Sequence, residues 1–406
     1  MRTVAFWLAM FAAHPAAAVD WTQPWAEPQD AAAAAARSDE YAWRLFVALA
    51  WPADPAARTA DPRASFGADQ PVVWETWQNT SDVYLEGGTD PGPWPAGTPV
   101  DGRLERAAAH RFAAAALGDL PNARHVVGGV MVPFADPVAA AARLTEIRMN
   151  RTTFEYIRGH ELYNLDGQLE TVAGGRPVEF PMGAKEVKAK WRPIDAAERS
   201  RYHTLEVLAA DGSIRLYGLT ALHIVSKDLP TWFWATFEHV ENPALADNEG
   251  WRLPSRDEFA CRDAAPGCNR APRGIGLDGT VWQYYRLRGT LTRYVDAQQH
   301  PLMLANSELE RGFQESASCM TCHARAALAI VAGAPLRLPI FDSAGGESPR
   351  ARRGFVGPPP AEWFTLPGAI PTARIFQRQD FVWSLSQAKP KTDRQLTSNT
   401  EQRGIP

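Results

Sequence analysis

The pentapeptide Cys319-Met320-Thr321-Cys322-His323 constrains this chain more than any other stretch. Two thiols three positions apart, with an imidazole directly after them, fit metal binding, thiol–disulfide exchange or covalent attachment of a haem. A zinc site needs four ligands, and the other two of the four cysteines, Cys261 and Cys268, are not a second C-x-x-C pair. A redox C-x-x-C follows a βαβ-like strand, whereas "LANSELERGFQES" before the motif reads as helical. On a helix, Cys319 and Cys322 stand one turn apart, suited to two thioether bonds to one porphyrin, with His323 beneath its iron. The spacing predicts one covalent haem c held by Cys319, Cys322 and His323, with His323 as the metal ligand. Zinc or a plain thiol pair is the alternative.

The N-terminus bears on the same choice. Arg2, the apolar run "VAFWLAMFAA" and the small residues of "HPAAAVD" follow the order of a secretory signal, ending in an Ala16-Ala17-Ala18 site. Residues 1–18 are expected to be removed near Val19 and the remainder to be periplasmic; a retained anchor is the alternative. No later stretch reaches the roughly 20 apolar residues of a membrane span. In an oxidising compartment Cys261 and Cys268, enclosing "RDAAPG" with a turn at Pro266-Gly267, read as a local disulfide; two buried free thiols are the alternative. A net charge of −4 over 406 residues argues against a nucleic-acid surface. The 15 tryptophans are read chiefly as core, their N–H groups paired.

Residues 19–165 read as a helical N-terminal part. Ala31 to Leu49 is Ala-rich with Tyr41, Trp43, Leu45 and Phe46 for a buried side, and 101–120 and roughly 147–163 also look helical. Residues 166–388 change character. "KEVKAKW" alternates Val187, Ala189 and Trp191 with Glu186, Lys188 and Lys190. "SIRLYGLTALHIVS" is apolar on both faces, as a central strand would be. "TWFWATFEHV" divides Trp232, Trp234, Thr236 and Glu238 from Phe233, Ala235, Phe237 and His239. "VWQYYRLRGTL" adds a further strand, and "QDFVWSLSQA" is the last apolar segment, read as a helix. Residues 389–406 read as a flexible tail. With no clear linker, the two parts are taken as one α+β unit: a mostly antiparallel sheet, N-terminal helices and a C-terminal haem-bearing helix.

No histidine or methionine follows His323. A sixth iron ligand of either type must come from upstream, from Met131, Met149, Met182, Met303 or the histidines between His110 and His300. An open iron is the other reading, and an open position is what catalysis or gas binding needs. Beside it, Glu238, His223 or His239 would move protons; because their strand alternates, Glu238 and His239 do not both line one pocket. A satisfied core histidine and a paired structural carboxylate are the structural readings of the same residues.

The segments "FPMGAKEVKAKW" (180–191), "CMTCHARAA" (319–327) and "QDFVWSL" (379–385) together resemble, in order, the cytochrome P-460 and c-prime-beta group. "WRLFVALAWPAD", "VVWETWQ", "GLTALHIVSK" and "NSELERGFQESASCMTCH" further resemble exported bacterial proteins of the cytochrome c family. The resemblance implies a mostly antiparallel fold around a haem c. It also implies a lysine, best matched by Lys188, bonded to the haem edge, and oxidation of hydroxylamine. The expectation is therefore an exported mono-haem oxidoreductase acting on a small substrate at an open or loosely liganded iron, with Lys188, His223 and Glu238 as catalytic candidates. The alternatives are an electron carrier with an upstream sixth ligand, meeting a redox partner protein, and a gas-binding module. A homodimer stays open.

Overall fold

The computed structural model describes residues 19–95, 144–208, 214–242, 257–262, 270–310, 313–331, 333–340, 354–365 and 375–391, with short strand pieces at 125–127, 130–132, 342–343 and 352–353. The expected signal segment, the expected helix at 101–120 and Cys268, the expected partner of Cys261, lie outside them.

Helices and antiparallel strands combine around one seven-stranded sheet. Its strands are β1 (Gln78–Asn79), β2 (Leu144–Met149), β3 (Lys185–Pro193), β4 (Thr204–Leu208), β5 (Ile214–Ser226), β6 (Phe233–His239) and β7 (Tyr285–Leu291). The spatial order is β7-β6-β5-β3-β2-β1, and β4 also pairs with β5. The 13-residue β5 is central: its two-sided apolar sequence suits a strand flanked by β3 on one edge and by β6 and β4 on the other. In register, Lys188 faces His223, and His223 faces Thr236.

Because neighbouring side chains on a strand point to opposite faces, the sheet separates two cores. Val187, Ala189 and Trp191 of β3 share one with Leu222 and Ile224 of β5 and with Phe233 and Phe237 of β6. Helices α1 (Ala31–Ala36) and α2 (Ser38–Leu49) cover it. Asp30 caps α1 by accepting from the amides of Ala32 and Ala33. The chain breaks at Arg37, so the single helix expected from Ala31 to Leu49 is two. In α2, Asp39 through Leu49 are all buried. Phe46 lies 4.4 Å from Phe237 between ring centroids and Trp43 lies 5.0 Å from it, edge to face, contacts worth about 0.5–1.5 kcal/mol each beyond burial. Trp43 donates its indole N–H to Asp257 at 2.7 Å.

The opposite face carries Glu186, Lys188, His223, Trp234 and Thr236. Against it pack helix α3 (Arg151–Gly159), through Phe154 and Ile157, together with Leu304, Met320 and Leu385. Helix α4 (Leu165–Ala173) and a small sheet of β8 (Ala327–Val331), β9 (Ala334–Arg337) and β10 (Gln377–Arg378) complete this side.

Several expectations are corrected. The helix expected from about 147 begins at Arg151, capped by the Asn150 side chain on the Thr153 amide; the residues before it are β2, drawn into the sheet by pairing with β3. The sheet thus recruits β1 and β2 from the part read as helical. The described residues of "LANSELERGFQES", 304–310 and 313–316, form turns and one 3-10 turn, Gln314–Ser316; Asn306 folds back to donate to Thr236 Oγ1 at 2.9 Å and to the Phe237 carbonyl at 3.1 Å. "QDFVWSLSQA" forms a 3-10 turn, Trp383–Gln387, after two left-handed residues. At the start of the expected tail, Lys389 accepts the Leu165 amide and Lys391 donates its amide to Asp166.

Candidate functional site

Cys319–His323 forms a short helix, α5, started by Ser318, whose hydroxyl accepts the Thr321 amide. Both thiols are free and buried. Cys319 donates to the Leu304 carbonyl at 3.2 Å, and Cys322 Sγ accepts the Phe355 amide at 3.4 Å. Burial, with Glu310 adding to it, holds the Cys319 thiol well above its ordinary range. Burial likewise pushes Cys322 up to about 11. These surroundings favour uncharged sulfur.

His323 is fixed from below. Its Nδ1 lies 2.8 Å from the Phe381 carbonyl oxygen. A carbonyl only accepts, so Nδ1 carries the hydrogen and Nε2 keeps the lone pair. The Trp234 ring lies 4.7 Å from the imidazole between centroids. Burial lowers the imidazole pKa to about 4, so His323 is neutral across the physiological range, as a metal ligand must be.

The Phe381 carbonyl belongs to a strap that returns beneath α5. The Gln379 amide donates to the Ala326 carbonyl at 2.7 Å, and the Trp383 indole donates to the Cys322 carbonyl at 3.0 Å. Asp380 and Phe381 both have positive φ, 45° and 68°, a region that costs L residues energy. Together these contacts grip α5 at Cys322 and His323, and the chain just after it at Ala326.

On the sheet side, Lys188 and His223 sit opposite each other on β3 and β5, and both interact electrostatically with His323. Sequence reading missed the third member, Glu310. Its Oε2 accepts the Asn306 amide at 2.7 Å and lies 3.6 Å from His223 Nε2. Burial raises the Glu310 carboxyl to about 7, with Lys188 opposing the rise. Burial lowers the Lys188 amine, Glu310 opposing, and drives His223 well below its ordinary range, Lys188 and His323 adding to the fall. His223 Nε2 is buried with no hydrogen-bond partner. The His223 and Glu310 side chains are 12% and 19% accessible, but that exposure does not reach His223 Nε2, which is itself buried. The only signal for Glu310 was its place in the segment read as a helix before the motif.

Glu238 does not join this group. It accepts the Ser307 amide and hydroxyl, each at 2.7 Å, and lies 3.3 Å from Arg288 Nε. These contacts make it a paired carboxylate anchoring the loop before the motif. The His239 ring is bound to the Arg201 carbonyl and the Glu241 amide, and stacks on Tyr202. His203 is bound to Glu75 on the other face of the sheet. His160 and His300 are exposed with local partners, Met182 is exposed, and Met149 is packed in the core. His110 lies outside the described residues, as do the side chains of His125 and Met131. Of the upstream histidines among the described residues, His223 alone combines burial, an unpartnered nitrogen and proximity to His323.

No helix among the described residues is long and apolar enough to cross a membrane. Comparison with protein families, with curated proteins and with solved structures gives no match.

Proposed function

We propose that this chain is an exported mono-haem c-type cytochrome acting as an oxidoreductase on a small substrate. The observation that carries the reading is His323: its Nδ1 is taken by the Phe381 carbonyl, which leaves Nε2 as the lone-pair nitrogen directly after two free, buried thiols one turn apart. Cys319 and Cys322 would take the two thioether bonds, and a thioether is the uncharged sulfur their surroundings favour. His323 would supply the nitrogen that holds the iron, oriented by a carbonyl as ligating histidines normally are. When bound, haem c supplies one-electron redox chemistry at its iron.

The remaining roles belong to side chains. Trp234 packs against the imidazole and keeps water from that face. Glu310 and His223 hold or accept protons at Oε2 and Nε2, 3.6 Å apart, and Lys188 sets the charge beside them. A group of this kind serves a small, proton-exchanging substrate of the hydroxylamine or peroxide type. Lys188, the residue for which the resemblance implies a bond to the haem edge, lies on the face toward Cys319, which its amine senses electrostatically.

A second reading is favoured by one observation. The orphaned Nε2 of His223 is what an upstream sixth ligand would present, making the protein an electron carrier.

The test is purification after export from a host competent in cytochrome maturation. One haem should survive acid–acetone extraction by intact mass, and replacing both Cys319 and Cys322 with alanine should abolish loading. A colourless protein, or one carrying zinc, ends the reading. Ferrous spectra then separate the roles: an iron that takes carbon monoxide and turns over substrate is the oxidoreductase. One that refuses the gas is the carrier, and one that takes it without turnover is a gas-binding module.

A further inference from the structure

Six non-glycine residues among those described have positive φ, and three of them, Trp232, Asp380 and Phe381, meet at one buried ion pair. Lys227 Nζ donates to both carboxylate oxygens of Asp380 at 2.8 Å. Its side chain is 6% accessible and that of Asp380 is 9%. Lys227 also donates to the Pro230 carbonyl at 3.2 Å and lies 5.7 Å from the Trp232 ring centre. Asp380 additionally accepts the Phe180 amide at 2.8 Å. Lys227 directly follows β5, so the pair ties the strap beneath α5 to the central strand of the sheet.

Strained backbone persists only where its surroundings over-determine it, and a buried ion pair is poor evidence of stabilisation in itself. Here the two features meet one residue from a carbonyl with a defined job. With Phe381 in extended backbone, its carbonyl would swing away from His323 Nδ1. Its ring, 5.9 Å from Trp234 between centroids, would move with it.

We infer that Lys227 and Asp380 are a positioning pair that locks the left-handed turn at Asp380-Phe381, holds the Phe381 carbonyl on His323 and thereby tunes the iron. This rests on His323 being the haem ligand. A proton shared from Nδ1 to a carbonyl makes the imidazole a more electron-rich ligand. That favours the ferric state and lowers the reduction potential, one of the protein's established levers on haem.

The experiment is spectroelectrochemical titration of the haem-loaded wild type, Asp380→Ala and Asp380→Asn, with haem content measured for each. Asp380→Ala is expected to keep its haem and to shift the midpoint potential upward. Asp380→Asn, which tolerates the left-handed region and still accepts the Phe180 amide, is expected to shift it less. A haem-loaded Asp380→Ala protein at the wild-type potential overturns the inference. Should that variant fail to fold, the wild type decides by nuclear magnetic resonance of the ferrous carbon-monoxide form, or of the cyanide-bound ferric form if carbon monoxide is refused. A His323 Nδ1 proton protected from exchange supports the clamp, and a freely exchanging one overturns it. Absence of haem instead sinks the haem reading, and the clamp is then scored on the same proton in the apoprotein, protected in the wild type, exposed in Lys227→Met and intermediate in Asp380→Asn. Equal exchange in all of them overturns it.

Discussion

His223 Nε2 stands 3.6 Å from Glu310 Oε2, a separation that a small shift of either side chain would convert into a direct hydrogen bond. The two groups come from a central strand and from a turn 87 residues later, and they meet beside the thiols of α5. If they exchange protons with a substrate, His223→Leu should keep its haem and its carbon-monoxide binding and lose about 10²- to 10⁴-fold in turnover, the usual contribution of a positioned acid or base. Steady-state kinetics with hydroxylamine and with peroxide check this. Gas binding that appears only in the variant would instead identify His223 as the sixth ligand.

Trp234 fills the space between the sheet and the His323 imidazole. It is 2% accessible, and its indole donates to the Thr231 carbonyl at 3.0 Å. Truncation to alanine should cost about 3–5 kcal/mol, as for other large aromatic deletions in cores. Trp234→Phe should cost less than half of that. Urea unfolding of the haem-loaded proteins, followed by tryptophan fluorescence and by the Soret band, provides both values.

The sheet was legible because its determinants are local. The alternation in "KEVKAKW" and "TWFWATFEHV" is enough to part Val187 from Lys188 and Phe237 from Trp234 within each strand; that Val187 and Phe237 share a face comes from their pairing through β5. The thiol–imidazole spacing likewise needs no tertiary information. What could not be read is long-range. Glu310 looked like one position of a helix; it reaches the site because Asn306 bonds to β6 and turns the chain. Glu238 had the right strand parity for the site, and it is taken instead by Ser307 and Arg288. The strap at 379–383 was noticed as an aspartate-aromatic segment, but its job depends on left-handed backbone at Asp380 and Phe381. Neither residue type announces that conformation.

Arg148 ties β2 to the segment before it. Its Nε donates to Glu146 at 2.7 Å, and one Nη donates to the carbonyls of Glu75 and Trp77 at 2.7 and 2.9 Å. Both charged side chains are nearly inaccessible, at 4% and 2%. Arg148→Met would leave the Glu146 carboxylate buried with only the Trp191 indole and the Asn79 amide as donors. A loss of about 3–5 kcal/mol is expected, typical when one partner of a buried pair is removed. The double variant with Glu146→Gln should recover a large part of it, and a double-mutant cycle by chemical denaturation measures the difference.

Glu186 gives the fold a pH dependence of definite sign. Burial raises its carboxyl from an ordinary 4.5 to about 7, opposed only by the Ser384 hydroxyl, which donates to Glu186 Oε1 at 2.5 Å and is itself paired with Tyr84 at 3.0 Å. The folded state therefore holds this proton more tightly than the unfolded chain. The stabilisation is fully present below pH 4.5 and is lost as pH rises through 7. A shift of this size corresponds to about 3 kcal/mol at 1.36 kcal/mol per unit. Glu186→Gln keeps the acceptor for Ser384 and removes the titration. It should match the wild type near pH 4.5 and exceed its stability by about 3 kcal/mol at pH 8. Urea midpoints measured at both values test this, and equal stability of the two proteins at pH 8 would show that Glu186 is ionised without penalty in the folded state.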